Sequence, residues 1–193
     1  MKKILLTFVL FFSLVMHAQI KEEGFEKKGF EPQLRISFDE GVDSYKNFSF
    51  GLDIIASYRI NEYFRIGAGT GLNYVNLAYE KSTVINGKYF KPYYESAMAI
   101  PIFANIKANF TKTKISPYLT FDAGYNFFIP FSKYAQKNKL GAFFKPTLGV
   151  DFHFSSCTLF IELAYRYQMR EFTLWTNSHG DYSQLSQSIG LQF

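Results

Sequence analysis

Oily and polar residues alternate with period two along almost the whole chain after residue 32. The stretch FSFGLDIIASYRI shows the pattern. Phe48, Phe50, Leu52, Ile54, Ala56, Tyr58 and Ile60 share one face, and Ser49, Gly51, Asp53, Ile55, Ser57 and Arg59 share the other. Successive side chains of an extended strand point to opposite sides, so this pattern predicts strands and not helices. Eight segments carry it: 33–40, 48–60, 63–79, 93–110, 115–130, 141–154, 158–174 and 182–193. The connections alternate in length. Asn61-Glu62, TKTK (111–114) and SSC (155–157) are short, whereas 41–47, 80–92, 131–140 and 175–181 are long. The expectation is an all-β, up-and-down, eight-stranded antiparallel barrel with tight turns at one end and long loops at the other.

Alternation alone does not say which face points inward. A soluble carrier of the lipocalin type would bury the oily face, whereas a transmembrane barrel turns it to lipid. Three features favour the membrane. The oily register is bulky, with Phe64, Ile66 and Tyr74, then Ile102, Ile106 and Phe110, then Phe121, Tyr125 and Phe127. That volume exceeds what the narrow interior of an eight-stranded barrel holds. The polar register carries Gly51, Gly67, Gly69, Gly71, Gly124, Gly149 and Gly190, expected to make room there for Arg and Lys. It also carries near-balanced charge. Asp39, Asp53, Glu95, Asp122, Asp151 and Glu162 face Arg35, Arg59, Arg65, Lys107, Lys145, Arg166 and Arg170, as expected of groups that must pair away from water. The predicted lumen is therefore plugged by charges and is not an open pore. Lastly, Phe48, Tyr74, Tyr94, Tyr125, Phe144 and Tyr167 lie toward the long loops, and Tyr58, Phe64, Phe110, Phe154 and Phe193 toward the short turns. Two aromatic belts suit the two interfaces of a membrane.

The first residues read as a secretory signal, 1–18. Lys2 and Lys3 precede the apolar run Ile4 to Met16, and His17-Ala18-Gln19 offers a cleavage site after Ala18. The run is shorter than the roughly 20 residues of a spanning helix. Residues 19–32 read as a flexible periplasmic lead, and 33–193 as the barrel. Loss of Lys2 and Lys3 takes the formal net charge from +5 to +3, too weak to suggest nucleic acid. Cys157 is the single cysteine, so no internal disulfide is expected. No dinucleotide fingerprint, phosphate loop or metal-ligand spacing is present, and no cofactor is expected.

Two groups invite a chemical reading. His179 lies near Ser178, Asp181 and Ser183, residue types that can build a nucleophilic site. Four polar residues in a loop are more simply a solvated loop, so catalysis is not expected. His153, beside the SSC turn, is expected to hydrogen-bond within the lumen. The loops carry Lys81, Lys88 and Lys91, then Lys133, Lys137 and Lys139, among aromatics. Above a lipid surface these lysines could contact lipopolysaccharide phosphates.

The ending SQSIGLQF places Leu185, Ile189, Leu191 and a terminal Phe193 on one face. It resembles the C-terminal assembly signal of bacterial outer-membrane barrels, with Gln187 in the oily register as a departure. With the leader and the eight strands, the chain resembles the small outer-membrane β-barrel superfamily, which includes OmpA-like, OmpX-like and PorT-like barrels. The PorT-like members are proteins of Bacteroidetes, and the HAQ context and the Tyr, Phe, Lys and Asn content resemble that phylum. The resemblance implies an outer-membrane location. It also implies handling by the barrel-assembly machinery through Ile189, Leu191 and Phe193, and contact with outer-membrane lipid and lipopolysaccharide. A protein partner at the loops or the lead is expected. The implied role is structural, adhesive or secretion-accessory, with a lipid A-modifying enzyme as the alternative.

Overall fold

The alternation resolves into ten strands, and the computed structural model shows eight of them closing on themselves. The structure describes residues 28–42, 48–79, 84–85, 88–89, 93–131, 140–170 and 182–193. The strands are β1 (Gly29–Gly41), β2 (Phe48–Arg59), β3 (Phe64–Tyr79), β4 (Val84–Ile85), β5 (Lys88–Tyr89), β6 (Tyr93–Asn109), β7 (Ile115–Pro130), β8 (Leu140–His153), β9 (Thr158–Arg170) and β10 (Tyr182–Gln192). Around the barrel the order is β1, β10, β9, β8, β7, β6, β3, β2, with every pairing antiparallel. This is the expected eight-stranded up-and-down barrel. Strands β4 and β5 form a small hairpin, Val84 opposite Tyr89, inside the segment 80–92 that the sequence suggested was a plain loop.

The tight turns follow from local side-chain chemistry. Between β2 and β3, the Asn61 Oδ1 accepts the backbone N–H groups of Tyr63 and Phe64, each at 2.8 Å. Asn favours this geometry because its side chain mimics a backbone turn. Between β6 and β7, the Thr113 hydroxyl donates to the Ile115 carbonyl at 2.6 Å and the Ser116 hydroxyl to the Thr111 carbonyl at 2.7 Å. Between β8 and β9, the Phe154 N–H donates to the Cys157 carbonyl at 2.9 Å.

Strand β1 pairs with β2 from Gly29 opposite Arg59 to Glu40 opposite Phe48, and with β10 from Gln33 opposite Gln192 to Gly41 opposite Gln184. The Phe193 N–H adds a bond to the Pro32 carbonyl at 3.0 Å. Closure leaves the wall no free edge, which is what a sheet in lipid requires. Strand β1 begins at Gly29, inside the segment the sequence suggested was lead. Phe30 and Glu31 continue its alternation, but Pro32 and the flanking charges hide the pattern, because proline ordinarily argues against a strand. Residues 1–27, with the predicted signal and most of the lead, lie outside the described residues.

The two faces separate cleanly. In the outward register Ile54 is 58% exposed, whereas its inward neighbour Ile55 is 1% exposed. The outer wall thus displays a continuous oily surface far larger than the few hundred Å² that soluble monomers show. The barrel's charged groups sit mainly inside.

Candidate functional site: the lumen and the wall

The lumen is built from the inward register of each strand, so its residues come at every second position. Strand β1 supplies Glu31, Gln33, Arg35, Ser37 and Asp39. Three ionic tiers result. In the middle tier the Arg35 guanidinium meets Asp53 at 3.0 Å, Asp122 at 2.8 Å and Glu162 at 3.6 Å. Asp53 is the direct cross-strand neighbour of Arg35, but Asp122 and Glu162 come from β7 and β9. Arginine suits this position because its planar fork serves several carboxylates at once. The Tyr118 hydroxyl donates to Glu162 at 2.9 Å, and the Asn105 amide to Asp122 at 2.5 Å.

Toward the short turns, Glu31 joins Arg59 at 2.5 Å and Arg65 at 2.7 Å and accepts from the Gln192 amide at 2.8 Å. Arg65 also donates to the Asn109 side chain. Lys107 reaches across from β6 to Asp151 on β8 at 2.7 Å and stands 3.7 Å from the Tyr118 ring centroid. Toward the long loops, Arg166 pairs with Asp39 at 3.1 Å, and Ser49 donates to the same carboxylate at 2.8 Å.

Nine residues anticipated for a lumen network, Asp53, Arg59, Arg65, Lys107, Asp122, Lys145, Asp151, Glu162 and Arg166, are all buried and point inward. Lys145 differs from the rest: its nearest bond is a long one, 3.5 Å, to the Ser188 hydroxyl. The tenth, Glu95, stands opposite Leu77 in β6, and its side chain lies outside the described residues. Glu31 was not anticipated, because its segment carries no clear period. Among the described residues the lumen cations Arg35, Arg59, Arg65, Lys107, Lys145 and Arg166 number six, as do the anions Glu31, Asp39, Asp53, Asp122, Asp151 and Glu162. Equal numbers matter here, since an uncompensated charge in a low-dielectric interior costs several kcal/mol.

The glycines correct one expectation. They seat aromatic rings more than they make room for Arg and Lys. Gly69 and Gly124 both stand opposite Phe103, Gly149 opposite Tyr118, and Gly190 opposite Phe160. A Cβ at any of them would come within 3.0 Å of the facing aromatic residue. Gly51 and Gly71 instead make room for Asn73 and Asp53. At Gly69, Gly149 and Gly190 the facing ring takes the space that a side chain would fill. Phe103 then lies 5.3 Å below the Arg35 guanidinium, and Phe143 4.6 Å from that of Arg166. Both distances suit a cation over an aromatic face.

The other candidates are spread out. The His153 Nδ1 lies 2.8 Å from the Thr158 hydroxyl, a bond within the lumen rim. Ser183 is in β10, where the Tyr165 hydroxyl bonds it at 2.6 Å, while Ser178, His179 and Asp181 lie outside the described residues. Lys81, Lys91, Lys133, Lys137 and Lys139 lie outside them as well, and of Lys88 only its place in β5 is described. Ile189 and Leu191 face outward opposite Ile36 and Leu34 of β1, and Phe193 follows them at the short-turn end. Among the described residues no group of three or more His, Cys, Asp or Glu is placed to hold a metal ion.

Two solved structures are similar to this chain in fold. Neisserial surface protein A is 18% identical, with a TM-score of 0.55 over 86% of this chain and 98% of its own. The outer membrane protein OprG from Pseudomonas aeruginosa is 9% identical, with a TM-score of 0.53 over 88% of this chain and 96% of its own. The fold is that of a small outer-membrane β-barrel. At such identities the likeness concerns the fold alone. No family model and no curated protein matches the chain.

Proposed function

We propose that this chain is a bacterial outer-membrane protein that is exported by a cleaved signal peptide. It acts as a non-conducting barrel presenting its long loops for interaction. The observation that supports the reading is the reversal of faces: a continuous oily exterior around an interior closed by ion pairs, Arg35 to Asp122 crossing it and Lys107 to Asp151 bridging over β7. Such a barrel is anchored by its wall and blocked by its lumen, so its contribution comes from what its ends touch. It carries no chemistry of its own. Insertion runs through the barrel-assembly machinery, with Ile189, Leu191 and Phe193 as the signal. The role is structural, adhesive or accessory to secretion, a PorT-like role being one version of the last.

The loop lysines Lys81, Lys88, Lys91, Lys133, Lys137 and Lys139 supply the contact with lipopolysaccharide phosphates or another acidic surface, on the order of 1 kcal/mol each. Three measurements test the proposal. The protein should fractionate with outer membranes, and its unboiled form should migrate faster than the boiled form on SDS gels. Release by osmotic shock alone would overturn the membrane reading. In planar bilayers it should show no steady conductance, and stable channels would contradict the plugged lumen. Changing the six lysines to Gln should leave the barrel folded while weakening its salt-sensitive binding to lipopolysaccharide. Unchanged binding would remove the loops' proposed role.

A further inference from the structure

Gln187 is the central residue of β10 and faces outward, between Phe38 of β1 and Leu163 of β9. At about 3.3 Å per residue and a tilt near 40°, it stands roughly 12 Å from either end of its strand, in the middle of the hydrocarbon. Its side chain is too short to reach an interface. The other outward polar groups are handled differently. The Tyr74 hydroxyl bonds Ser96 at 2.8 Å, and the Tyr165 hydroxyl bonds Ser183 at 2.6 Å. Thr70 brings one hydroxyl, and Glu40 and Asn76 lie near strand ends. Gln187 brings a whole amide to mid-wall, exposed and with no hydrogen-bond partner among the described residues. An unpaired amide in hydrocarbon is costly, and lipid chains offer it nothing.

Resting on the membrane reading above, the geometry points to a second copy of this chain as the partner of that wall, with the two Gln187 amides paired across a two-fold axis. An amide donates and accepts, so it is complementary to itself, as an isologous contact demands. The axis runs along the membrane normal and sets the β1–β2 side of one copy against the β9–β8 side of the other. The wall has matching relief there. Phe38 and Phe50 protrude, 47% and 52% exposed. They border a furrow of about 620 Å³ that runs from them past Gln187, between Leu163 and Ile189, to Leu148 and Val150. Val150 is in outward register yet only 8% exposed, so it forms the furrow's floor. Across the two-fold axis the Phe38 and Phe50 rings of one copy enter the β9–β8 end of the other's furrow, which brings the walls close enough for the amides to meet.

Disulfide trapping in lipid vesicles tests the pairing. The parent is the Cys157→Ser protein, whose insertion is first checked by its heat-dependent gel mobility. Failure at that step counts against the membrane reading and not against the pairing. Leu185→Cys, one outward position from Gln187, should give an oxidised dimer. Ile102→Cys, on β6 directly across the barrel, should give none. Adding Gln187→Leu to Leu185→Cys should lower the cross-linked fraction about tenfold at equal lipid dilution, while the barrel stays inserted. Cross-linking unaffected by Gln187→Leu, equal trapping through Ile102→Cys, or inserted protein that stays monomeric at every protein-to-lipid ratio would each overturn the proposal.

Discussion

Arg35 and Ile36 are consecutive residues of β1 and live in opposite surroundings. Arg35 is 2% exposed and ringed by three carboxylates, whereas Ile36 is 41% exposed and looks out from the wall. The same contrast repeats around the barrel. Outside, any oily side chain of suitable size serves, because lipid asks only for apolar area. Inside, each charged group depends on particular partners on other strands, some adjacent and some across the lumen. The wall is therefore tolerant and the lumen specific, and substitutions on the two faces should fail for different reasons.

Arg35→Met should have the largest effect. It strands Asp53, Asp122 and Glu162 together and should lower unfolding stability by about 3–5 kcal/mol, read from denaturant titration of the inserted barrel. A loss below about 1 kcal/mol would mean that water reaches the middle tier. Next comes Ile54→Arg on the opposite face. A cation on the lipid side near mid-wall should cost about 2–4 kcal/mol, whereas the same change on a water-facing surface would be nearly neutral. That comparison asks directly whether the oily face meets lipid. Gly149→Ala drives a methyl group into the Tyr118 ring and should cost about 1–3 kcal/mol. Combining it with Tyr118→Leu should recover part of that loss, and a fully additive pair would remove the ring from the explanation. Smallest is Glu31→Gln at the partly open short-turn end. Glu31 is only partly buried, and a Gln oxygen there still accepts from Arg59 or Arg65, so a loss of about 1 kcal/mol is expected.

The two faces were not equally legible. The number, order and orientation of the barrel strands could be read from the sequence because alternation and turn residues are local properties. Asn61 declares its turn from its own side chain. The inward charges were visible for the same reason, since Asp53 or Glu162 needs only its own strand's register to be placed. Their partners were not, because Arg35 finds Asp122 and Glu162 only after the sheet has closed. The glycine and ring pairs were hidden by the same nonlocality: Gly190 and Phe160 mean little until β10 lies beside β9 in one particular register. Glu31 was missed because Pro32 interrupts the pattern next to it. The hairpin of β4 and β5 was missed because two-residue strands leave no period to read.

The seam between β1 and β10 has a consequence for how the chain reaches this structure. Every other junction of the barrel joins strands that follow one another, apart from the small hairpin set between β3 and β6. Those junctions zip up from nearby residues. The seam must bring Leu34 to Leu191. Such a contact forms late, because the entropy of closing so long a loop comes before any reward. Until it forms, both terminal strands present unsatisfied backbone, which in hydrocarbon is untenable and in water invites aggregation. The oily wall and the last backbone bonds therefore have to arrive in the membrane almost together, and a chain cut short before β10 would leave an open sheet with no stable place on either side of the bilayer surface.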